Sequence, residues 1–136
     1  MITMKTNLIE AAKLAAKNAY APYSRICFGA AVETESGDIF SGANIENASY
    51  GATMCAERVA IYKAVSAGHT MIKKMALYYG KEVKRGAITP CGLCRQVMSE
   101  FCDDMEIIVV QKTTQTVYTF SELFKKPFNK HTIRLV

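Results

Sequence analysis

The sequence predicts a single α/β domain built on a five-stranded mixed sheet with helices on both faces. Two observations predict it. After an initial helix and a hairpin, segments of helical periodicity alternate with short apolar runs of strand length, and no repeat, low-complexity tract or linker interrupts residues 1–136. Half of the residues are hydrophobic, which suits one compact domain that buries most of its apolar surface.

Taken in order, residues 6–20 read as a helix, with Thr6 as N-cap, Leu8, Ala12, Ala15 and Ala19 on one apolar face, and Pro22 ending it. Residues 26–35 and 38–44 read as two strands joined at Ser36-Gly37-Asp38, a hairpin signal. A second helix spans 54–67 and is closed by Gly68. MIKKMALYYG (71–80) reads as a strand, Thr89–Cys102 as a third helix with Pro90 in its first turn, and EIIVVQ and QTVYTF as two further strands before a last helix.

Composition narrows the function classes. Net charge is +5, but four of the 17 basic residues lie in the last twelve positions, KKPFNKHTIRLV, so the body is nearly neutral. A second basic cluster, Lys73–Arg85, also lacks the interleaved aromatic platforms of a single-strand binder, and nucleic acid is not an expected partner. The N-terminal twenty residues carry no long unbroken apolar core, so neither a signal peptide nor a membrane span is expected, and a cytoplasmic location follows. Five cysteines, an odd number, argue for reduced thiols rather than a disulfide framework.

Three of those thiols sit at helix starts. Cys55 falls in the first turn of the second helix, and Cys91 and Cys94, in PCGLCRQ, in the first turn of the third. If these helices follow strands of the same direction, both N-termini open at one edge of the sheet, where ligand sites of such folds gather. The positive end of a helix favours thiolate, the form that binds zinc. A fourth protein ligand is hard to find: Cys102 lies roughly 12 Å further along its helix, Cys27 reads as a small buried hydrophobe in a strand, and His69 and His131 read as solvated. Three ligands with an open fourth position describe a catalytic rather than a structural site. Glu57 stands two residues after Cys55 in an apolar run, placed to serve as a base beside the metal. The combination C-x-E with P-C-x-x-C is the signature of zinc deaminases, with cysteine in place of histidine.

Taken together, YAPYS (20–24), GAA (29–31), GANIENASYG (42–51), CAER (55–58) and PCGLCRQ (90–96) resemble a cytidine deaminase of the small, homotetrameric type over almost the whole chain. The resemblance implies a three-layer α/β/α cytidine-deaminase-like fold and one Zn²⁺ per chain on Cys55, Cys91 and Cys94. It implies hydrolytic deamination of cytidine and deoxycytidine to uridine and deoxyuridine plus ammonia, a pyrimidine-salvage reaction in which a zinc-bound hydroxide attacks C4 and Glu57 shuttles the protons. The substrate is then a free pyrimidine nucleoside. Asn44 and Glu46 bind its ribose hydroxyls, the backbone around Ala48 and Ala56 contacts the base, and Phe128 reaches a neighbouring subunit's site. Tyr50 belongs with these substrate-side residues and with the apolar surface that a tetramer would cover. Three thiolates and one Zn²⁺ sum to minus one, which Arg58 and Arg95 can offset by donating to sulfur; for Arg95 a surface ion pair is an equal reading.

One stretch departs from the family. After YAPYS the family has a basic residue, then phenylalanine, any residue and valine, whereas this chain reads Arg25-Ile26-Cys27-Phe28. Ile26 therefore stands where a base-stacking phenylalanine is expected. Two readings remain: Phe28, on the same strand face as Ile26, supplies the ring, or Phe28 packs in the core while Ile26 makes plain van der Waals contact with the base.

Overall fold

The computed structural model describes residues 4–83 and 85–133, the side chains of residues 4–6 excepted. Helix α1 (Met4–Ala16) is followed by strands β1 (Phe28–Thr34) and β2 (Ile39–Ala43), a 3₁₀ turn at Tyr50–Ala52, helix α2 (Ala56–Ser66) and strand β3 (Ile72–Tyr79). Helix α3 (Gly92–Phe101), strands β4 (Glu106–Gln111) and β5 (Thr114–Thr119), and two four-residue helices, α4 (Phe120–Leu123) and α5 (Lys130–Ile133), complete it. The sheet order is β2-β1-β3-β4-β5, with β3 and β4 parallel and the other three pairings antiparallel.

Strand alternation divides the core into two layers. Ala30 and Val32 of β1, Met75 and Leu77 of β3 and Ile107 and Val109 of β4 face α2 and α3, whose Ala60, Ile61, Cys94 and Met98 complete that cluster. The intervening Ala31, Ala76, Ile108 and Val110 face α1 through Leu8, Ile9 and Ala12. Helices therefore cover both faces of a five-stranded mixed sheet, as the sequence predicts.

Two glycines set how closely the helices lie on the sheet. A Cβ on Gly29 would fall 1.8 Å from the Ala12 carbonyl oxygen, and one on Gly42 would fall 2.7 Å from Cγ1 of Val59 and 2.8 Å from the Ala60 nitrogen. The hairpin turn needs its own glycine, because Gly37 has φ +93°.

Several boundaries differ from the expected ones. Helix α1 encloses Thr6, so Thr6 is not its N-cap, and it stops at Ala16 rather than at residue 20. The cause is tertiary: Tyr20 donates its N–H to the Asn44 carbonyl and accepts from the Glu46 N–H, an extended pairing that a helix cannot make. Strand β1 begins at Phe28, two residues late, because Arg25 occupies the left-handed region at φ 60°. Cys27 thus precedes the strand and is exposed rather than a buried hydrophobe. Pro90 precedes the N-cap of α3 instead of lying in its first turn, and the single final helix is two short ones.

Candidate active site

Strand β2 lies antiparallel to β1, and β1 antiparallel to β3, so β2 and β3 run in the same direction although they are not neighbours. Helix α2 follows the first and α3 the second. Their N-termini consequently open at one edge of the sheet, which brings the cysteines together. Cys55 is the N-cap of α2 and Cys91 the N-cap of α3, each one position earlier than a first-turn residue, and Cys94 is the third residue of α3.

The three sulfur atoms lie within 4.8 Å of one another, with Cys55 and Cys91 3.8 Å apart and Cys91 and Cys94 3.5 Å apart. Tetrahedral zinc with Zn–S distances of about 2.3 Å spaces its sulfurs about 3.8 Å apart, so the donor set fits that ion in chemistry and in size. Arg58 lies one turn into α2 and donates from Nη2 to Cys55 Sγ at 3.4 Å, while its buried Nε has no partner among the described residues. The Cys94 thiol as hydrogen-bond partner, reinforced by Arg58, lowers the Cys55 thiol to about 5 against the opposing effect of burial. The Cys94 thiol is pushed up, by that same bond and by burial.

Arg95 does not share this arrangement. Its Nε donates to the Pro90 carbonyl at 2.7 Å, Nη2 to Thr89 Oγ1 at 2.9 Å and Nη1 to the Leu123 carbonyl. The guanidinium ties the approach to α3 to the end of α4 and is spent on oxygen, so the expected donation to sulfur is replaced by a backbone brace.

A cavity of about 220 Å³ opens beside the cluster, and Cys55, Cys91, Glu57, Ser24, Asn44 and Glu46 are among the residues that line it. Glu57 is 5% exposed, and burial pushes its carboxyl up to about 7. Asn44 is buried and bridges two backbone groups, donating from Nδ2 to the Ile26 carbonyl at 2.7 Å and accepting at Oδ1 from the Phe28 N–H at 2.8 Å. Glu46 accepts from the N–H groups of Tyr23 at 2.9 Å and Ser24 at 3.1 Å and from the Ser24 hydroxyl, which holds its carboxyl below the usual range.

Ile26 and Phe28 both line the cavity, though not as two residues of one strand face, since Ile26 precedes β1. Phe28 also stacks on Tyr79 with centroids 5.0 Å apart and packs against the core. A second cavity of about 360 Å³ shares Ser24, Glu46 and Thr53 with the first and adds Tyr23 and Tyr50, whose rings meet edge to face. Ala48 is exposed, Ala56 is fully buried at the start of α2, and neither side chain lines these cavities. Phe128 lies outside them and is exposed, its carbonyl accepting from Gln96 Nε2 at 2.7 Å.

Met54, Leu77, Ile88 and Thr89 also line the first cavity and were not anticipated. For Ile88 and Thr89 a signal exists, because residues just ahead of a helix N-terminus at the carboxyl edge of a sheet border the ligand crevice. Leu77 carries no such signal, being one apolar strand residue among several.

The model of the cytidine and deoxycytidylate deaminase zinc-binding region matches residues 2–111. A cytidine deaminase from Sporosarcina psychrophila is 48% identical over 96 residues, 71% of this chain and 68% of that protein. A probable cytidine deaminase from Dictyostelium discoideum is 44% identical over 108 residues, 79% of this chain and 71% of its own length. The crystal structure of cytidine deaminase from Burkholderia pseudomallei superposes with a TM-score of 0.82 at 41% identity, covering 90% of this chain and 97% of that one.

Proposed function

The chain belongs to the cytidine and deoxycytidylate deaminase family, and we propose that it is a zinc-dependent hydrolase converting cytidine and deoxycytidine, with water, to uridine and deoxyuridine plus ammonia. The observation that carries the reading is a buried glutamate, Glu57, on the wall of the cavity that Cys55 and Cys91 of the three-cysteine cluster also line. Cys55, Cys91 and Cys94 would hold one zinc ion per chain, whose chemistry when bound is Lewis-acid activation of water. Arg58, donating to Cys55 Sγ, draws charge from the thiolates and keeps their sum from repelling an anionic nucleophile.

Glu57 has the protonation chemistry of a shuttle. Its carboxyl is poised near 7, so it accepts a proton from water, delivers it to N3 of the pyrimidine and makes C4 electrophilic. The hydroxide that remains adds to C4, the carboxylate takes the proton of the new C4 hydroxyl and passes it to the amine, and the C4–N bond breaks, so that ammonia leaves and the C4 carbonyl forms. Ile26 and Phe28 are assigned to the base, with backbone near Ala48 and Ala56, while Asn44 and Glu46 are assigned to the ribose hydroxyls. Support for the last pair is that both line the same cavity as Cys55, Cys91 and Glu57, with Glu46 lining the 360 Å³ cavity as well.

Glu46 also favours nucleoside over nucleotide. A carboxylate there accepts hydroxyl hydrogen bonds and repels a nearby phosphate. Residues 1–136 form one domain in this reading, four copies form the active assembly, and the reaction serves pyrimidine salvage in the cytoplasm. Neither nucleic acid nor membrane is a partner, and among the described residues no helix is long and apolar enough to cross a membrane.

The test is direct. Zinc-loaded protein incubated with cytidine, deoxycytidine and CMP, with products separated by chromatography, should yield uridine and deoxyuridine and leave CMP unchanged. Comparable efficiency on CMP would overturn the nucleoside assignment, and zinc-loaded protein inert on both nucleosides would overturn the activity.

A further inference from the structure

The segment that forms one wall of the candidate active site has a second face. Ser24, Ile26 and Phe28 line the active-site cavity, whereas Arg25 and Cys27 line a separate cavity of about 470 Å³ between α1 and the end of β3. On β3, Leu77 lines the first cavity, and Tyr78 and Tyr79 line the other. One thin wall therefore separates two pockets.

The cavity between α1 and β3 is basic. Lys13, Lys17, Arg25 and Lys81 line it, against one carboxylate, Glu10, which is already paired with Lys13 at 3.4 Å. Among the described residues Lys17, Arg25 and Lys81 make no ion pair. Two tyrosine rings supply the apolar part, with Lys13 Nζ 5.9 Å from the centroid of Tyr78. The volume falls in the range of about 300–1,000 Å³ typical of small-molecule sites and suits a compact ligand rather than a macromolecular surface. Three cations that make no ion pair among the described residues, set around aromatic rings, match a phosphorylated small molecule, since arginine and lysine are the usual phosphate partners.

We propose that this cavity binds a phosphate-bearing small molecule, and that its occupancy alters nucleoside binding through the shared wall of residues 24–28. The coupling has a physical route. A ligand drawn to Arg25 and packed on Tyr79 acts on the residue that precedes Ile26 and on the ring that stacks with Phe28 at 5.0 Å. The binding part stands alone; the coupling part rests on the deaminase reading.

The probes are ATP, inorganic tripolyphosphate and adenosine, each titrated calorimetrically into zinc-loaded protein at low salt. ATP should bind saturably and adenosine should not, with binding weakened at least tenfold in Lys17→Gln/Lys81→Gln and unchanged in Lys125→Gln/Lys126→Gln, a control in the basic tail. Tripolyphosphate binding as tightly as ATP identifies the phosphate chain as the recognised group, and tighter ATP binding identifies a nucleotide. Either result supports the site. Bound ATP should also slow alkylation of Cys27, the exposed thiol in the cavity, by at least threefold. No saturation, equal loss in the tail variant, or an unprotected Cys27 would overturn the site. For the coupling, saturating ATP should change the KM for cytidine at least threefold in the unmodified protein and not in Lys17→Gln/Lys81→Gln, with zinc content constant. An unchanged KM at full ATP occupancy would overturn the coupling, and a protein that binds ATP but never converts cytidine would count against the deaminase reading while the calorimetry still judges the site.

Discussion

Glu57 combines two properties that a helix-surface glutamate lacks: it is 5% exposed, and burial pushes its carboxyl up to about 7. Among the described residues it has no ion-pair partner, and such a buried carboxyl is retained where its proton has work to do. Glu57→Gln should keep the fold and the zinc while turnover falls by at least the roughly 10²–10⁴-fold expected of one acid–base group. Steady-state rates and elemental analysis on the same preparation check both halves, and a variant with a tenth of the original turnover would remove Glu57 from the shuttle role. The cysteines divide in the same way. Zinc should be lost or much weakened when Cys55, Cys91 or Cys94 becomes alanine and retained when exposed Cys27 or Cys102 does, the latter being a half-buried thiol pushed up to about 11 by burial. Four sulfur ligands in an X-ray absorption spectrum would contradict the open site. That three cysteines would meet was legible in the sequence, because each lies at a helix start and the strand directions bring those starts together. Which arginine serves them was not legible. Arg58 and Arg95 follow Cys55 by three positions and Cys94 by one, and only the fold turns the first toward sulfur and the second toward Pro90, Thr89 and Leu123.

Elements bear on the site through how closely they pack. Gly42 of β2 faces Val59 and Ala60 of α2, the helix that carries Cys55 at its N-cap and Glu57 in its first turn. Gly42→Ala should cost about 1–3 kcal/mol of stability, measured by denaturant unfolding, as α2 is pushed outward, and kcat should fall besides, because the displaced helix carries Glu57, the proposed shuttle. Gly29→Ala meets the Ala12 carbonyl and displaces α1 instead, so stability should fall with a smaller effect on kcat. The loop after α1 is held differently, by Glu46 accepting from Tyr23 and Ser24. Ser24's hydroxyl and then its amide are the main causes that lower the Glu46 carboxyl from 4.5. A depressed acid contributes in full above its ordinary value and loses the contribution as pH falls through the lowered one. Protection of the Tyr23 and Ser24 amides in hydrogen exchange should therefore persist from neutral pH down to about 4.5 and collapse only below it; collapse near pH 6 would contradict the clamp. The order of strands and helices was legible because helical segments alternate with short apolar runs, which β1 and β4 bury almost without a break. Boundaries at residues 16–28 were not, because long-range pairing of Tyr20 with residues 44–46 and the left-handed Arg25 override local preference.

At the scale of the molecule, the candidate site is one that the proposed four-copy assembly would complete. Its cavity of about 220 Å³ is smaller than the usual range of about 300–1,000 Å³, while Tyr50, Leu93 and Phe128 stand 77%, 65% and 59% exposed. In the proposed tetramer another chain would cover these groups. Light scattering should give four times the 15.0 kDa chain mass, and an active monomer would defeat the idea of a shared site. Phe128 separates assembly from local anchoring. Gln96 holds its carbonyl at 2.7 Å, which fixes the backbone of the tail while leaving the ring projecting. If that ring completes a neighbour's site, Phe128→Ala should raise the KM for cytidine several-fold with little change in melting temperature, an aromatic contact being worth about 0.5–1.5 kcal/mol beyond its buried area. If the ring only anchors its own tail, the melting temperature should fall and KM stay constant. The exposed ring on a pinned backbone favours the first outcome, because a side chain that stabilises its own chain does so by being covered by it.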